Sequence, residues 1–252
     1  LNFKTNNLSL TFFNARQEVF LSNIKWRFMD IRAGVRNDIF NIKNVKSSQV
    51  IDEYDTSNLS NDYVSLFADA RTDAFNDGYF PTKGVNAGVS YSWTFAGFPR
   101  RFHNFHTVAA DAKVVVPAGD LFAFIPSFNF RFLFGREIPV PYFNAVGGSL
   151  PSRYVEQQMP FIGVNHLSAM KNILTIYRAD FRFKLARNHY LTGIVNYARD
   201  CDDFTGYVDG LGYFGAAAEY AFDTIFGPIT ANVHWSNMTG KVGFYLSAGY
   251  NF

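Results

Sequence analysis

The chain has 252 residues, 48% of them hydrophobic and 18% aromatic, yet its mean hydropathy is -0.06 and its formal net charge +2. No stretch approaches the roughly 20 apolar residues of a membrane helix, and so small a charge, with no Lys/Arg cluster, argues against a nucleic-acid partner. The lone Cys201 has neither a disulfide partner nor Cys or His neighbours at zinc-site spacing, so redox and structural-zinc roles are not indicated.

The apolar residues recur instead at every second position, the period of a strand with one greasy and one wet face. The first segment, about residues 4–21, reads as extended but alternates imperfectly. Met29, Ile31, Ala33 and Val35 then oppose Asp30, Arg32, Arg36 and Asp38, and Val64, Leu66, Ala68 and Ala70 oppose Asp69, Arg71 and Asp73. From Gly84 on, Val85, Ala87, Val89, Tyr91, Trp93 and Phe95 share one face, with Asn86, Gly88, Ser90, Ser92 and Thr94 on the other. Val108, Ala110, Ala112, Val114 and Val116 oppose Thr107, Asp111 and Lys113.

After a turn at residues 117–120, Phe122, Phe124, Phe128, Phe130, Phe132 and Phe134 point one way and Ser127, Asn129 and Arg131 the other. Six phenylalanines on one strand face would demand a very large core in a soluble sandwich; lipid is the simpler partner. Ile173, Tyr177, Ala179, Phe181, Phe183 and Leu185 are set against Arg178, Asp180, Arg182 and Lys184, so the inner face is wet. Strands near 191–197, 214–222 and 229–235 follow, joined by short hairpins that make neighbours antiparallel. The last segment places Val242, Phe244, Leu246, Ala248, Tyr250 and Phe252 on one face, a terminal aromatic strand of the kind that closes outer-membrane barrels.

Long connections near 44–61, 136–171 and 200–210 alternate with tight turns, as expected when one barrel end faces the periplasm and the other the outside. The count is about eleven strands, or twelve if two are merged near 14–17. Single-chain barrels have even strand numbers, so residues 1–252 are expected to form one antiparallel transmembrane β-barrel domain that is N-terminally incomplete. Leu1 follows neither an initiator Met nor a signal region, which also points to sequence upstream.

Three ordered landmarks are similar to the outer-membrane assembly and secretion superfamily, also called the bacterial surface antigen family. They are Gly78-Tyr-Phe-Pro-Thr-Lys-Gly84, Val146-Gly-Gly-Ser-Leu-Pro-Ser-Arg-Tyr154 and Phe226-Gly-Pro-Ile-Thr, the last followed by the terminal strand. From about residue 22 onward the chain resembles one subgroup, the patatin-like outer-membrane proteins, through Gln157-Gln-Met-Pro-Phe-Ile-Gly163. That resemblance implies a sixteen-stranded barrel of which this is the later part, preceded by a periplasmic docking domain and a patatin-type lipid hydrolase. Phe80, Pro81 and Gly84 would mark a periplasmic hairpin, and Gly249, Tyr250 and Phe252 a signal for the barrel assembly machinery. Arg153, on an inward-folded loop, would clamp onto Asp180 and Glu219, inward by parity, because a guanidinium suits bidentate carboxylate recognition. Arg153-Tyr154 lacks the Gly that the family's insertase motif places between them.

Other candidates favour structural roles. The inward charges carry both signs, which suits a neutralised, hydrated lumen better than an ion path. Ser90 stands in half of a Gly-x-Ser-x-Gly pattern, but Ser92 replaces the second Gly in mid-strand, so no hydrolase chemistry is expected of this chain itself. His103 and His106 lack an acidic third ligand, and Asp200, Asp202 and Asp203 read as a solvated loop rather than a divalent-ion site. Tyr91, Trp93, Tyr197, Trp235, Tyr245 and Tyr250 read as interfacial girdles. The expectation is a barrel in the outer membrane of a Gram-negative bacterium, without cofactor or metal, that anchors or carries an upstream lipid hydrolase by type V secretion. Its expected partners are lipid and lipopolysaccharide, the assembly machinery and its own upstream domains; the rival roles are a passive pore and an assembly factor.

Overall fold

A computed structural model of the chain describes residues 2–4, 8–47, 61–99, 102–148, 156–164 and 167–249. The first strands are β1 (Asn2–Lys4), β2 (Leu8–Trp26), β3 (Met29–Ser47), β4 (Asn61–Asp73), β5 (Gly84–Phe98), β6 (Phe105–Ala118) and β7 (Phe122–Gly135). Three short strands follow within one connection, β8 (Ala145–Gly147), β9 (Gln158–Pro160) and β10 (Ser168–Ala169). The chain then continues as β11 (Ile173–Ala186), β12 (His189–Cys201), β13 (Leu211–Thr224), β14 (Gly227–Ser236) and β15 (Val242–Ala248). Twelve of these form one sheet in sequence order with β1 and β15 at its edges; β7 pairs directly with β11, because β8, β9 and β10 make a separate sheet. Every neighbour in the large sheet is antiparallel.

The strand count resolves differently from the expected merger near 14–17. β2 runs through that stretch unbroken, and the twelfth strand is the three-residue β1. Alternation in 4–21 is imperfect because Phe20 faces inward, packed on Phe67, and a register shift falls between Thr11 and Phe12; a bulge follows at its end, where Leu21 pairs with Ala33, Ile24 with Ile31, and Asn23 takes φ 63°. The one extra residue puts both Leu21 and Ile24 on the outer face, so the pattern changes phase there. β3 also continues to Ser47, three residues past the expected start of the 44–61 connection.

Elsewhere the register bears out the alternation. Phe122 lies opposite Phe183, Phe124 opposite Phe181 and Phe128 opposite Tyr177, with ring centroids 4.8, 5.3 and 5.3 Å apart on the outer face. Exposure of Val19 at 81%, Phe244 at 65% and Leu246 at 62% would be untenable as a continuous belt in water, whereas hydrocarbon accepts it. Strands of 13–15 residues, as in β4 to β7 and β11 to β13, exceed the roughly 9–11 needed to cross a bilayer, so their ends protrude.

The connections sort to two ends. Turns at 27–28, 119–121, 187–188 and 225–226, together with the folded hairpin 74–83, lie at one end, and the longer connections at the other. The segment after β12 does not stand clear in solvent. Phe204 packs its ring edge-on against outward Phe132 at 4.7 Å, and outward Ile173 is fully covered.

Candidate functional site

Inward side chains pair across the wall. Arg32 Nε and Nη2 donate to Asp69 on the adjacent strand, each at 3.0 Å, Arg16 donates to Asp38 at 2.6 Å and Arg36 to Glu18 at 2.7 Å. Arg71 on β4 reaches Asp111 on β6 at 2.8 Å by passing over Gly88 of β5, where a Cβ would come within 2.8 Å of the guanidinium. Glycine here permits a contact that skips a strand. Arg178 and Asp180, two residues apart on β11, form a two-pronged pair at 2.6 and 2.9 Å.

The connection between β7 and β11 leaves at the long-loop end and folds back between the walls as a plug. Its base is clasped by fully buried Asn144, which donates to the carbonyls of Lys171 and Asn172 at 2.7 and 2.9 Å and accepts from Arg131 at 2.6 Å. On one side Tyr142 donates its hydroxyl to Asp38 at 2.9 Å, and its ring packs edge-on with Phe40, Tyr63 and Phe105. Glu156 meets both Arg16 and Arg36. On the opposite side the plug backbone is held directly: Ile162 donates its N–H to Asn196 Oδ1 at 2.8 Å, and Gly163 O accepts from Ser236 and Thr239 at 2.8 and 3.1 Å. Val146, Met159, Phe161 and Val164 of the plug form an apolar core with Leu174, Ile176 and Ala198 of the wall. Contacts to β2–β4 on one side and β11–β14 on the other mean that the sheet wraps around the plug.

Beneath it lies a cavity of about 200 Å³, lined by Arg32, Arg71, Asp69, Asp111 and Ser90 of the wall and by Glu156 to Met159 of the plug. Its lining carries charges of both signs, Arg16, Arg32, Arg36, Arg71 and Arg131 beside Asp69, Asp111 and Glu156, which makes it a polar chamber. Among the described residues no three acidic, His or Cys side chains converge as a metal site.

A family model described as the OMP85 superfamily matches residues 1–252. The chain belongs to the OMP85 superfamily. The crystal structure of BamA from Haemophilus ducreyi lacking POTRA domains 1-3 is similar in fold, with a TM-score of 0.71 at 13% identity. The match covers 97% of this chain and 55% of that one, so the chain spans about half the length of that crystallised chain. Among curated proteins none matches.

In this OMP85 barrel the residues singled out from sequence scatter. Arg153, Tyr250 and Phe252 lie outside the described residues. Asp180 and Glu219 do face inward, but Asp180 is engaged by Arg178, while Glu219 accepts a 3.4 Å bond from Asn232. Phe80 and Pro81 sit on a hairpin that bends into the lumen, and Gly84 ends it with φ 120°, where a Cβ would come within 2.2 Å of Ala74 O. Gly249 takes φ 107° and donates to Pro228 O at 3.0 Å.

The two histidines part: His103 meets Glu137 at 3.0 Å, while outward His106 accepts or donates to the Tyr91 hydroxyl at 2.7 Å and stacks on Phe134. Of the three acids expected in a solvated loop, Asp200 is instead buried near the end of β12, where it accepts from Lys171 N; Asp202 pairs with the Lys171 ammonium, and Asp203 caps the turn at Thr205 and Gly206. Hydrogen bonds to that turn hold the Asp203 carboxyl below its usual range. The plug contacts Glu156, Tyr142, Asn144, Asn196 and Ser236 carried no sequence signal of their own, since each joins positions far apart in the chain.

Proposed function

We propose that this OMP85 barrel is a closed outer-membrane anchor and translocation domain, not a passive pore. The observation that carries this reading is the attachment of the plug to both walls by ion pairs, backbone hydrogen bonds and an apolar core. A porin needs an open aqueous channel, and here a plug held at two faces lies across the lumen. Planar-bilayer recording of the purified barrel should give no steady large conductance. Sustained open channels of porin size would refute the reading.

Within that role we infer that the barrel is the carboxyl-terminal part of a patatin-like protein, with a lipid hydrolase upstream that it holds at or carries across the outer membrane. Support comes from Gln157 to Gly163, the segment behind the resemblance, which forms the wall-facing centre of the plug. In this reading the barrel supplies no hydrolase chemistry of its own. Lipid, lipopolysaccharide and the barrel assembly machinery are its surroundings and folding partners. Fractionating cells that express the complete polypeptide should place lipid-hydrolase activity in the outer membrane, and deleting the barrel should release it into the periplasm. The BamA-like fold favours a second reading, an assembly factor. Depletion would then cause unfolded barrel precursors to accumulate, which the hydrolase reading does not predict.

A further inference from the structure

The hairpin between β4 and β5 does not hang from the short-turn end of the barrel. Phe80 stacks on Tyr190 of β12, ring centroids 4.3 Å apart and planes 9° from parallel, and Arg182 of β11 donates to the Pro81 carbonyl. Phe75 packs against Val115, Ala123 and Ile125 of β6 and β7. From its root at β4 and β5 the hairpin therefore lies over β6 and β7 to reach β11 and β12. A path over that many strands of a curved wall is a chord through the lumen, not an arc along its rim.

Its interior and its attachment differ in strength. Asn76 Oδ1 accepts the Thr82 and Lys83 N–H groups at 2.9 and 3.0 Å, and Asp77 Oδ1 accepts those of Tyr79 and Phe80 at 2.8 and 2.7 Å, so the tip is a preformed unit. Contact with the far wall includes the Phe80 ring stack, the Arg182 bond to the Pro81 carbonyl and the attraction of Asp77 for Arg182, whereas the plug is held by several hydrogen bonds, ion pairs and an apolar core. At the root, Gly84 takes a left-handed φ of 120°. The tip is thus a preformed unit whose root is closed by the Ala74 N–H bond to Val85 O at 2.8 Å, the arrangement of an element that would swing about its root as one piece.

We propose that residues 74–83 are a lid on the lumen at its short-turn end, latched by Phe80 on Tyr190 and by Arg182 on Pro81. The lid, and not the plug, is the element that opens to admit water-soluble material into the charged chamber. In the outer-membrane reading that end faces the periplasm; the lid itself follows from the contacts and stands whether or not a hydrolase lies upstream.

The test uses the complete polypeptide in nanodiscs, with Cys201 and any further cysteine replaced by Ser and a reporter thiol at Ser90→Cys, which lines the chamber. The readout is the labelling rate with a charged, membrane-impermeant maleimide. Phe80→Ala should raise that rate about tenfold, the opening expected when about 1.4 kcal/mol of latch is lost. Tyr190→Leu, which keeps the wall filled but removes the flat ring, should do the same, and it serves if Phe80→Ala fails to fold. Combining either with Arg182→Ala should raise it further. If both ring variants label at the parent rate while Glu156→Gln labels faster, entry is past the plug and the lid is refuted. Rapid labelling of the parent itself would refute it equally, since the latch would then close nothing.

Discussion

Glu156 of the plug sits between two arginines of adjacent strands, its Oε1 3.4 Å from Arg36 Nη1 and its other oxygen on Arg16. Those arginines are also bound to Glu18 and Asp38, so one plug carboxylate completes a five-membered network that spans β2 and β3. Such a group fixes the plug in orientation more than it stabilises it, because Glu156 keeps 53% of its side chain open to lumen water. Glu156→Gln should therefore cost only about 1 kcal/mol. It should still loosen this side of the plug, seen as faster cleavage within 136–171 by external protease with the midpoint of heat unfolding nearly unchanged.

The same carboxylate gives the plug a pH dependence. Burial works against its ionisation, but Arg36 and Arg16 outweigh it and hold the Glu156 carboxyl below its usual range. For a depressed folded-state pKa the stabilisation is full above the unfolded value, about 4.3, and is lost as pH falls through the lower folded value. Plug protection should thus be flat from neutral pH to about 5 and decline below about 4. Hydrogen exchange of plug amides, measured against pH in parent and Glu156→Gln, checks this: the variant should lack the acid-dependent component. An identical acid decline in both would assign it to other groups.

What was legible in the sequence is what lipid enforces. Phe122 to Phe134 had to alternate because hydrocarbon lies on one flank of β7 and water on the other, and the observed register follows that pattern through eleven pairs with β11. β2 was hard to read because Phe20 stands among its inward residues, packed on Phe67 and under Arg32, which concealed Arg16 and Glu18 as part of a wet row. The plug contacts were illegible for another reason. Asn196 and Ile162 belong to a strand and a loop with no shared period, and only the folded walls bring the Asn amide to the loop backbone. Likewise Phe80 carried a motif, yet nothing in its spacing announced a stack on Tyr190 110 positions later.

Polarity on the outer wall has a depth-dependent cost. Phe181 is in mid-strand on β11, outward, opposite Phe124 and opposite Gly193 on its other side. Phe181→Arg should destabilise the barrel by about 2–4 kcal/mol near the bilayer midplane, whereas Phe181→Leu should cost less than half as much. Reversible urea unfolding from lipid vesicles measures both. A tolerated arginine would mean that this face does not meet hydrocarbon.

Two glycines of the same strand pair give opposite expectations. Gly215 of β13 faces the lumen opposite Asn196, and a Cβ there would fall 2.3 Å from Ile162 O of the plug and 2.8 Å from Asn196 Nδ2. The nearer obstacle is backbone and cannot rotate away, so Gly215→Ala should wedge the plug off the wall and break the bond from Ile162 N–H to Asn196. A buried donor left without its acceptor costs about 1–3 kcal/mol. Gly193 of β12 is on the lipid side with nothing within 4 Å of a built Cβ, so Gly193→Ala should be close to neutral. Heat-dependent gel mobility and protease cleavage within 136–171 should separate them, with lower thermal resistance and an exposed plug in Gly215→Ala alone. Equal behaviour of the two variants would show that the plug does not touch β13 as described.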